Sequence, residues 1–101
     1  MSSFNVKFAV YGALAGGKQQ KTQAINVSDA LQQQLNTSSY QGVISITNTT
    51  MGQDPSPGNT KHFGALVTVN GKDMYFACQE NQTVDFNHNM PAALRVAEAV
   101  K

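Results

Sequence analysis

Asp54 stands in the run Asn48-Thr49-Thr50-Met51-Gly52-Gln53-Asp54-Pro55-Ser56-Pro57-Gly58-Asn59, a stretch dense in oxygen-bearing side chains. A carboxylate beside the side-chain carbonyls of Asn48, Gln53 or Asn59 has the hard-oxygen chemistry that Ca²⁺ selects. The other role of Asp in such a loop is to accept backbone amides and fix the turn. Pro55 and Pro57 fix φ and restrict Asp54 and Ser56 before them, so the loop should be ordered. It is also long for a connection. The structural expectation is a clamp, with Asp54 tying the loop and Gly58 taking a positive φ.

The remaining chemistry-bearing residues are few. His62 and His88 are the only histidines, and with Cys78 or Asp85 they lack the short ligand spacing of a metal site. A Ser/His/Asp or Cys/His catalytic set would need convergence that the spacing does not supply. Cys78 shares a strand parity with Met74 and Phe76 and lacks a neighbouring positive charge, so it reads as a small buried hydrophobe. Tyr11, Tyr40 and Tyr75 could stack on sugars while the Asn/Gln-rich loops bond hydroxyls, although no Trp is present. Singly scattered exposed aromatics also need no functional explanation. The glycines form no phosphate-binding pattern.

These residues must be held by short elements. Phe4, Val6, Phe8 and Val10 alternate with Asn5, Lys7, Ala9 and Tyr11, the period of a half-buried strand over 4–12. Residues 18–24 read as a loop or weak edge strand. Ser28 is placed to cap a short helix over 28–36, with Leu31 and Leu35 on one face. Val43 to Thr47 is β-branched and reads as a strand. Residues 61–69 put Phe63, Ala65, Val67 and Val69 on one face, and Asn70-Gly71 is a strong hairpin signal before a return strand over 72–78. Thr83 to Phe86 forms a last short strand. Residues 90–101 change character towards helix, with Pro91 in the first turn. The expected fold is mainly β: a small antiparallel β-sandwich, immunoglobulin-like, over 1–89, with one short helix at 28–36 and a C-terminal helical appendage over 90–101. A two-layer α+β domain is the alternative.

Composition sets the class. The chain has 101 residues, 13% of them charged, with 9 Asn, 10 Gln, 7 Ser and 8 Thr supplying uncharged polarity. The net charge of +1 argues against nucleic acid or anionic membrane as a partner, since both require clustered Lys/Arg. No apolar run is long enough to span a membrane. One cysteine excludes an internal disulfide. The start of the chain carries no secretory signal pattern, so a soluble cytoplasmic domain is the default expectation, with signal-independent export as the alternative. The N-x-S/T triplets at Asn26, Asn36, Asn48 and Asn81 matter only in a secretory pathway.

Several positions together resemble a family. Tyr11-Gly12 ends the first strand, and Val27-Ser28 leads to Leu31-Gln32. Met51-Gly52-Gln53-Asp54-Pro55-Ser56-Pro57-Gly58 precedes Lys61, and a hairpin at Gly71 is followed by Glu80-Asn81-Gln82. Over residues 8–87 the order and spacing resemble the domain of unknown function at the C-terminus of DnaJ homologue subfamily C member 11 proteins. They are also similar to short free-standing bacterial and fungal relatives with a Met-Gly-Gly-Asp-Pro-x-Pro-Gly loop. The Asp-Pro-x-Pro-Gly-x-x-Lys segment is the most specific part of the likeness. This chain departs from the pattern with Gln53 in place of the second Gly, with Asn26-Val27-Ser28 where relatives have Asp-Val-Thr, and with an unmatched tail after Asn89. The resemblance implies a β-rich accessory domain and no catalytic residue.

The expected function is therefore a non-enzymatic module, without cofactor or metal, that binds another protein or assembles with itself. The alternative is a carbohydrate- or Ca²⁺-dependent ligand module using the 48–59 loop, with Asp54, Asn59, Tyr11, Tyr40 and Tyr75 as its candidate contacts.

Overall fold

The computed structural model describes residues 3–38 and 42–88. Tyr40 and the expected helical appendage over 90–101 lie outside the described residues. The chain forms β1 (Phe4–Leu14), a single 3₁₀ turn (Ala15–Gly17), β2 (Thr22–Asn26), α1 (Ser28–Thr37), β3 (Val43–Ser45), β4 (His62–Val69), β5 (Lys72–Gln79) and β6 (Thr83–Asp85). All strand pairs are antiparallel. Four strands form one sheet in the order β2-β1-β4-β5, and β3 pairs with β6 in a separate ribbon. Among the described residues the result is a small mainly β fold with two antiparallel sheets and one short helix. The expected weak edge strand is real, and it takes in Ile25 and Asn26.

The inward face of the large sheet carries Ala9, Tyr11, Phe63, Ala65, Val67 and Val69, all buried. Val27, Leu31 and Leu35 of the α1 region, Ile44 and Ile46, Met51 and Phe86 close the core from the other side. Phe86 anchors the ribbon under the sheet, 4.6 Å between ring centroids from Phe76 and edge-on to Phe63 at 6.4 Å. Asn70 and Gly71 both take positive φ, as the hairpin signal requires.

β1 departs from simple alternation. Val6 pairs with Val67 and Phe8 with Leu66, so Lys7 is an extra residue in the β1–β4 ladder. This β-bulge turns Lys7 and Phe8 to the same exposed side. Beyond it the parity is reversed. Inner-face packing falls to Ala9 and Tyr11, which are fully buried, while Phe8 is 51% exposed. The expectation that Phe8 and Val10 share the inner face with Phe4 and Val6 is thus overturned, because one inserted residue moves every later side chain to the opposite face.

Helix α1 also differs from expectation at its start. Ser28 does not cap the helix: Val27 occupies that position. The Ser28 hydroxyl instead accepts the Ala9 amide at 2.9 Å, and Asn26 Oδ1 accepts the Ser28 amide at 2.8 Å. One turn later Gln32 accepts the Val6 amide at 2.7 Å and donates to the Phe4 carbonyl at 3.1 Å. Side chains of α1 thereby satisfy the part of the β1 edge that β2 does not reach, which would otherwise hold unpaired amides.

Two substitutions separate the faces. Leu31→Ala empties a fully buried site and should cost about 2–5 kcal/mol. Phe8→Ser lies outside the core and should cost less than about 1 kcal/mol. Urea melts of both variants check this, and equal losses would return Phe8 to the core.

Candidate functional site

Two places gather chemistry, one inside the fold and one on the open face of the large sheet. The inner one is built on Lys61. The parity of β4 points Phe63, Ala65, Val67 and Val69 inward, and Lys61 just before the strand follows the same parity. Its side chain is 3% exposed. The ammonium lies 2.8 Å from Asp54 Oδ1 and 3.4 Å from Glu80 Oε1, and donates to the Ser56 carbonyl at 3.1 Å. The Lys61 and Glu80 backbones also join, with the Glu80 amide donating to the Lys61 carbonyl and Glu80 Oε1 accepting the Lys61 amide. A buried ammonium needs opposite charge and full hydrogen bonding, and this arrangement supplies both.

The loop is knitted around this cation. Asp54 Oδ1 accepts the Ser56 amide at 3.0 Å. The Ser56 hydroxyl bonds Gln23 of β2 at 2.6 Å and accepts from Asn59 Nδ2 at 2.8 Å. Asn59 Oδ1 accepts the Gly16 amide at 3.1 Å, tying the loop to the turn after β1. The Tyr11 hydroxyl donates to Asn48 Oδ1 at 2.6 Å, so the one polar atom of this buried ring is satisfied. Gly58 takes φ of 82°. Asp54 and Gly58 thus do what the clamp expectation asked of them.

Electrostatics follow the contacts. Asp54 titrates below the usual carboxylate range, chiefly through its bond to Lys61 and further through the Ser56 amide, against an opposing effect of burial. Lys61 is raised, chiefly by Asp54 and then by Glu80, again against burial. Tyr11 is raised by burial first and by the Glu80 charge second. The Cys78 thiol is pushed up by burial, which keeps it protonated. Asp85 is lowered, mainly by the Asn87 amide and less by His88, whose Nδ1 lies 2.8 Å away at an exposed corner.

Of the candidate ligand residues, Asp54 and Asn59 come together, both bonded to Ser56, while Tyr11 and Tyr75 stay apart. Asp54 and Asn59 are engaged in the clamp, and a cation already stands at Asp54: the ammonium of Lys61. Tyr11 lies in the core and Tyr75 on the opposite side of the same sheet, 75% exposed, so the two cannot stack on one sugar. His62 lies on the outward parity of β4. Among the described residues no group of three or more His, Cys, Asp or Glu side chains could hold a metal ion. No helix among them is long and apolar enough to cross a membrane.

The outer face of the sheet is the second place, and sequence reasoning passed over it. Across β1, β4 and β5 the register aligns Phe8 with Leu66 and Tyr75, and in the next outward row Val10 with Gly64 and Ala77. The middle of the second row has no side chain, and this opens a hollow of about 500 Å³ over Gly64. A Cβ there would meet Val10 Cγ1 only at 3.9 Å. No described element covers this face. The pair Lys7–Asp73, 3.0 Å apart, and Thr68, which donates to Asp73 at 2.6 Å, border it at one end. The sequence signal was the run Phe63-Gly64-Ala65-Leu66, where the outward residue Leu66 is as apolar as the inward ones. The bulge hid the contribution of β1.

The chain matches no protein-family model, no curated protein and no solved structure.

The clamp sets a pH dependence. A carboxylate with a lowered folded pKa stabilises the fold above its unfolded value, near 3.8, and that stability is lost as pH falls through the folded pKa. Lys61, raised above 10.5, stabilises fully below that value and loses its contribution as pH rises through its folded pKa. Asp54→Asn should therefore melt lower than the parent by roughly 5–10 °C at neutral pH. The gap should shrink as pH falls below 3.8. Gly58→Val should cost about 1–3 kcal/mol through backbone strain. Thermal melts from acid to neutral pH read both, and a pH-independent gap would remove Asp54 from the clamp.

Proposed function

We propose that this domain is a non-enzymatic interaction module whose outer sheet face, Phe8, Val10, Leu66, Tyr75 and Ala77 around Gly64, receives a short amphipathic segment of a protein partner. We read the fold itself as a reduced β-sandwich in which the β3–β6 ribbon and α1 together form the second layer. The observation that carries the functional reading is the two-row apolar patch, continuous over three strands and open at the hollow over Gly64. Contiguous apolar patches with a polar border mark interaction sites, whereas isolated exposed hydrophobes do not.

Size favours a segment over a second globular surface. Three strands span about 10 Å and two outward rows lie about 7 Å apart, so the patch covers on the order of a few hundred Å² with its side chains. A stable protein–protein interface needs about 800 Å² on each partner. An aromatic pair beside a hollow suits an apolar anchor from a helix or strand. The absence of a catalytic role is supported by the state of the nucleophile candidate: Cys78 faces inward and its thiol is held protonated by burial. The accessory role implied by the resemblance to the DnaJ-homologue C-terminal domain agrees with this reading.

The test places a photo-crosslinking residue at Leu66 in the full chain, with Ser45 on the β3–β6 ribbon as the control position, in extract of the native host. The expected outcome is adducts from position 66, mapping to one amphipathic segment and lost on Tyr75→Asp. Equal adducts from both positions, or none from 66, would overturn the reading.

A further inference from the structure

Strand β2 reads Thr22-Gln23-Ala24-Ile25-Asn26, without proline or charge, and it ends the order β2-β1-β4-β5, so one of its edges has no neighbouring strand. The backbone phase of that edge is fixed from both ends. The Ala15 amide donates to the Lys21 carbonyl at 2.8 Å, and the Val27 amide donates to the Ala9 carbonyl at 2.9 Å. Both bonds fit the register that sets Tyr11 opposite Ile25 and Ala13 opposite Gln23. The odd-numbered residues of β2 therefore bond β1, while Thr22, Ala24 and Asn26 aim amide and carbonyl away from it. All three are exposed, and no hydrogen bond to those backbone groups forms among the described residues. The spare edge of β1 is treated differently, since Ser28 and Gln32 take up the Ala9 and Val6 amides there. A bare edge of this kind is a template for a further strand.

The edge is complementary to itself. A two-fold axis normal to the sheet beside Ala24 pairs Ala24 with its own copy and Thr22 with Asn26 of the second copy, and the reverse, all in bonding phase. An axis beside Thr22 or Asn26 would set part of the edge opposite residues outside the strand. The ends match as well. The turn before β2 carries Lys18 and Lys21 and no acid, and the first turn of α1 after it carries Asp29. Antiparallel pairing about Ala24 sets Lys21 opposite Val27 of the second copy, two residues before Asp29, so a basic end meets an acidic end twice. Among the described residues none of Lys18, Lys21 and Asp29 has an ion-pair partner of its own.

We propose that the β2 edge is the interface for a second copy of this chain, the two four-stranded sheets joining about a two-fold axis into one antiparallel sheet. This contact is separate from the outer face and leaves it open. Both outer faces lie on the same side of the joined sheet, and at about 4.8 Å per strand the two hollows over Gly64 stand roughly 24 Å apart. A partner carrying two apolar segments is then held at both. β2 spans only about 17 Å, too little for the roughly 800 Å² per partner of a permanent complex. The pairing is accordingly weak and follows concentration.

Sedimentation velocity of the full chain, from micromolar to millimolar concentration, reads the association, and a monomer–dimer equilibrium is expected. Ala24→Pro removes an outward amide that the monomer does not use, so it should abolish association and leave the melting temperature close to that of the parent. Should that variant fail to fold, the charge variants decide. Asp29→Lys and Lys21→Glu should each weaken association about tenfold. An equimolar mixture of the two should restore it, because each copy then supplies the charge that the other lacks. Ala24→Cys in a Cys78→Ser background should form a disulfide-linked dimer under mild oxidant, since the paired Cα atoms would stand about 5.5 Å apart. Lys72→Cys in the same background, on β5 at the far side of the sheet, is the control. A monomer at every concentration overturns the proposal, and adducts to another protein from a photo-crosslinker at position 24 would then give the edge to a partner strand. Association unchanged by Ala24→Pro, equal crosslinking at 24 and 72, or a mixture no stronger than its components overturns it as well.

Discussion

One inserted residue in β1 governs both faces of this protein. Without the bulge at Lys7, the parity begun by Phe4 and Val6 would carry Phe8 and Val10 into the core and put Ala9 and Tyr11 outside. With it, Tyr11 enters the core and reaches Asn48, while Phe8 and Val10 join Leu66, Tyr75 and Ala77 on the exposed side. The same local event therefore supplies an anchor for the long loop and an apolar patch for recognition. The bulge is held by its surroundings rather than by its own sequence. Lys7 pairs with Asp73 across the outer face, and Gln32 and Ser28 of α1 bond the β1 backbone on either side of the extra residue.

The buried ammonium of Lys61 solves a different problem. Residues 46–61 contain no strand or helix, and beyond local turns such as Met51 to Thr47 and Asn59 to Ser56 the long loop is held by side chains. Lys61 draws Asp54, the Ser56 carbonyl and Glu80 to a single point and links the loop to the turn between β5 and β6. Ser56 and Asn59 extend the network to β2 and to the turn after β1. Replacing the whole network by apolar residues could be neutral in stability, whereas removing one member leaves a buried charge uncompensated. The oxygen-rich chemistry of the loop is thus spent on an internal cation, which is why a loop with the composition of a Ca²⁺ site acts as a strap.

Strand existence was legible in the sequence because Phe63, Ala65, Val67 and Val69 repeat at a strict period of two and Asn70-Gly71 fixes the hairpin locally. The clamp was half legible. Asp54, Pro55, Pro57 and Gly58 announce an ordered turn, and the parity of β4 already pointed Lys61 inward, but its pairing with Asp54 and Glu80 depends on where three separate elements meet. The parity of β1 was not legible, because Lys7-Phe8-Ala9-Val10-Tyr11 scans equally well in either phase and only the partner strand selects one. Ser28 misled for a related reason: its hydroxyl serves a helix cap or a neighbouring strand equally well, and the open edge of β1 decides in favour of the strand. In each case the missing information is a long-range partner, which a local pattern does not contain.

Stability and recognition occupy opposite sides of one sheet. The inner side is closed by α1, the ribbon and the Lys61 strap, so its side chains are committed to the fold. The outer side contributes little to that core, which frees Phe8, Leu66 and Tyr75 to be apolar for another purpose. A solvated sheet face would ordinarily alternate to polar residues, as Thr68 and Asp73 do at one end. Retaining two apolar rows there, with a glycine at the centre of one, adds no packing to the described core and weakens β4 through the glycine itself. Such a cost is offset only if something packs into the hollow. The cost falls on this face alone, whatever packs there.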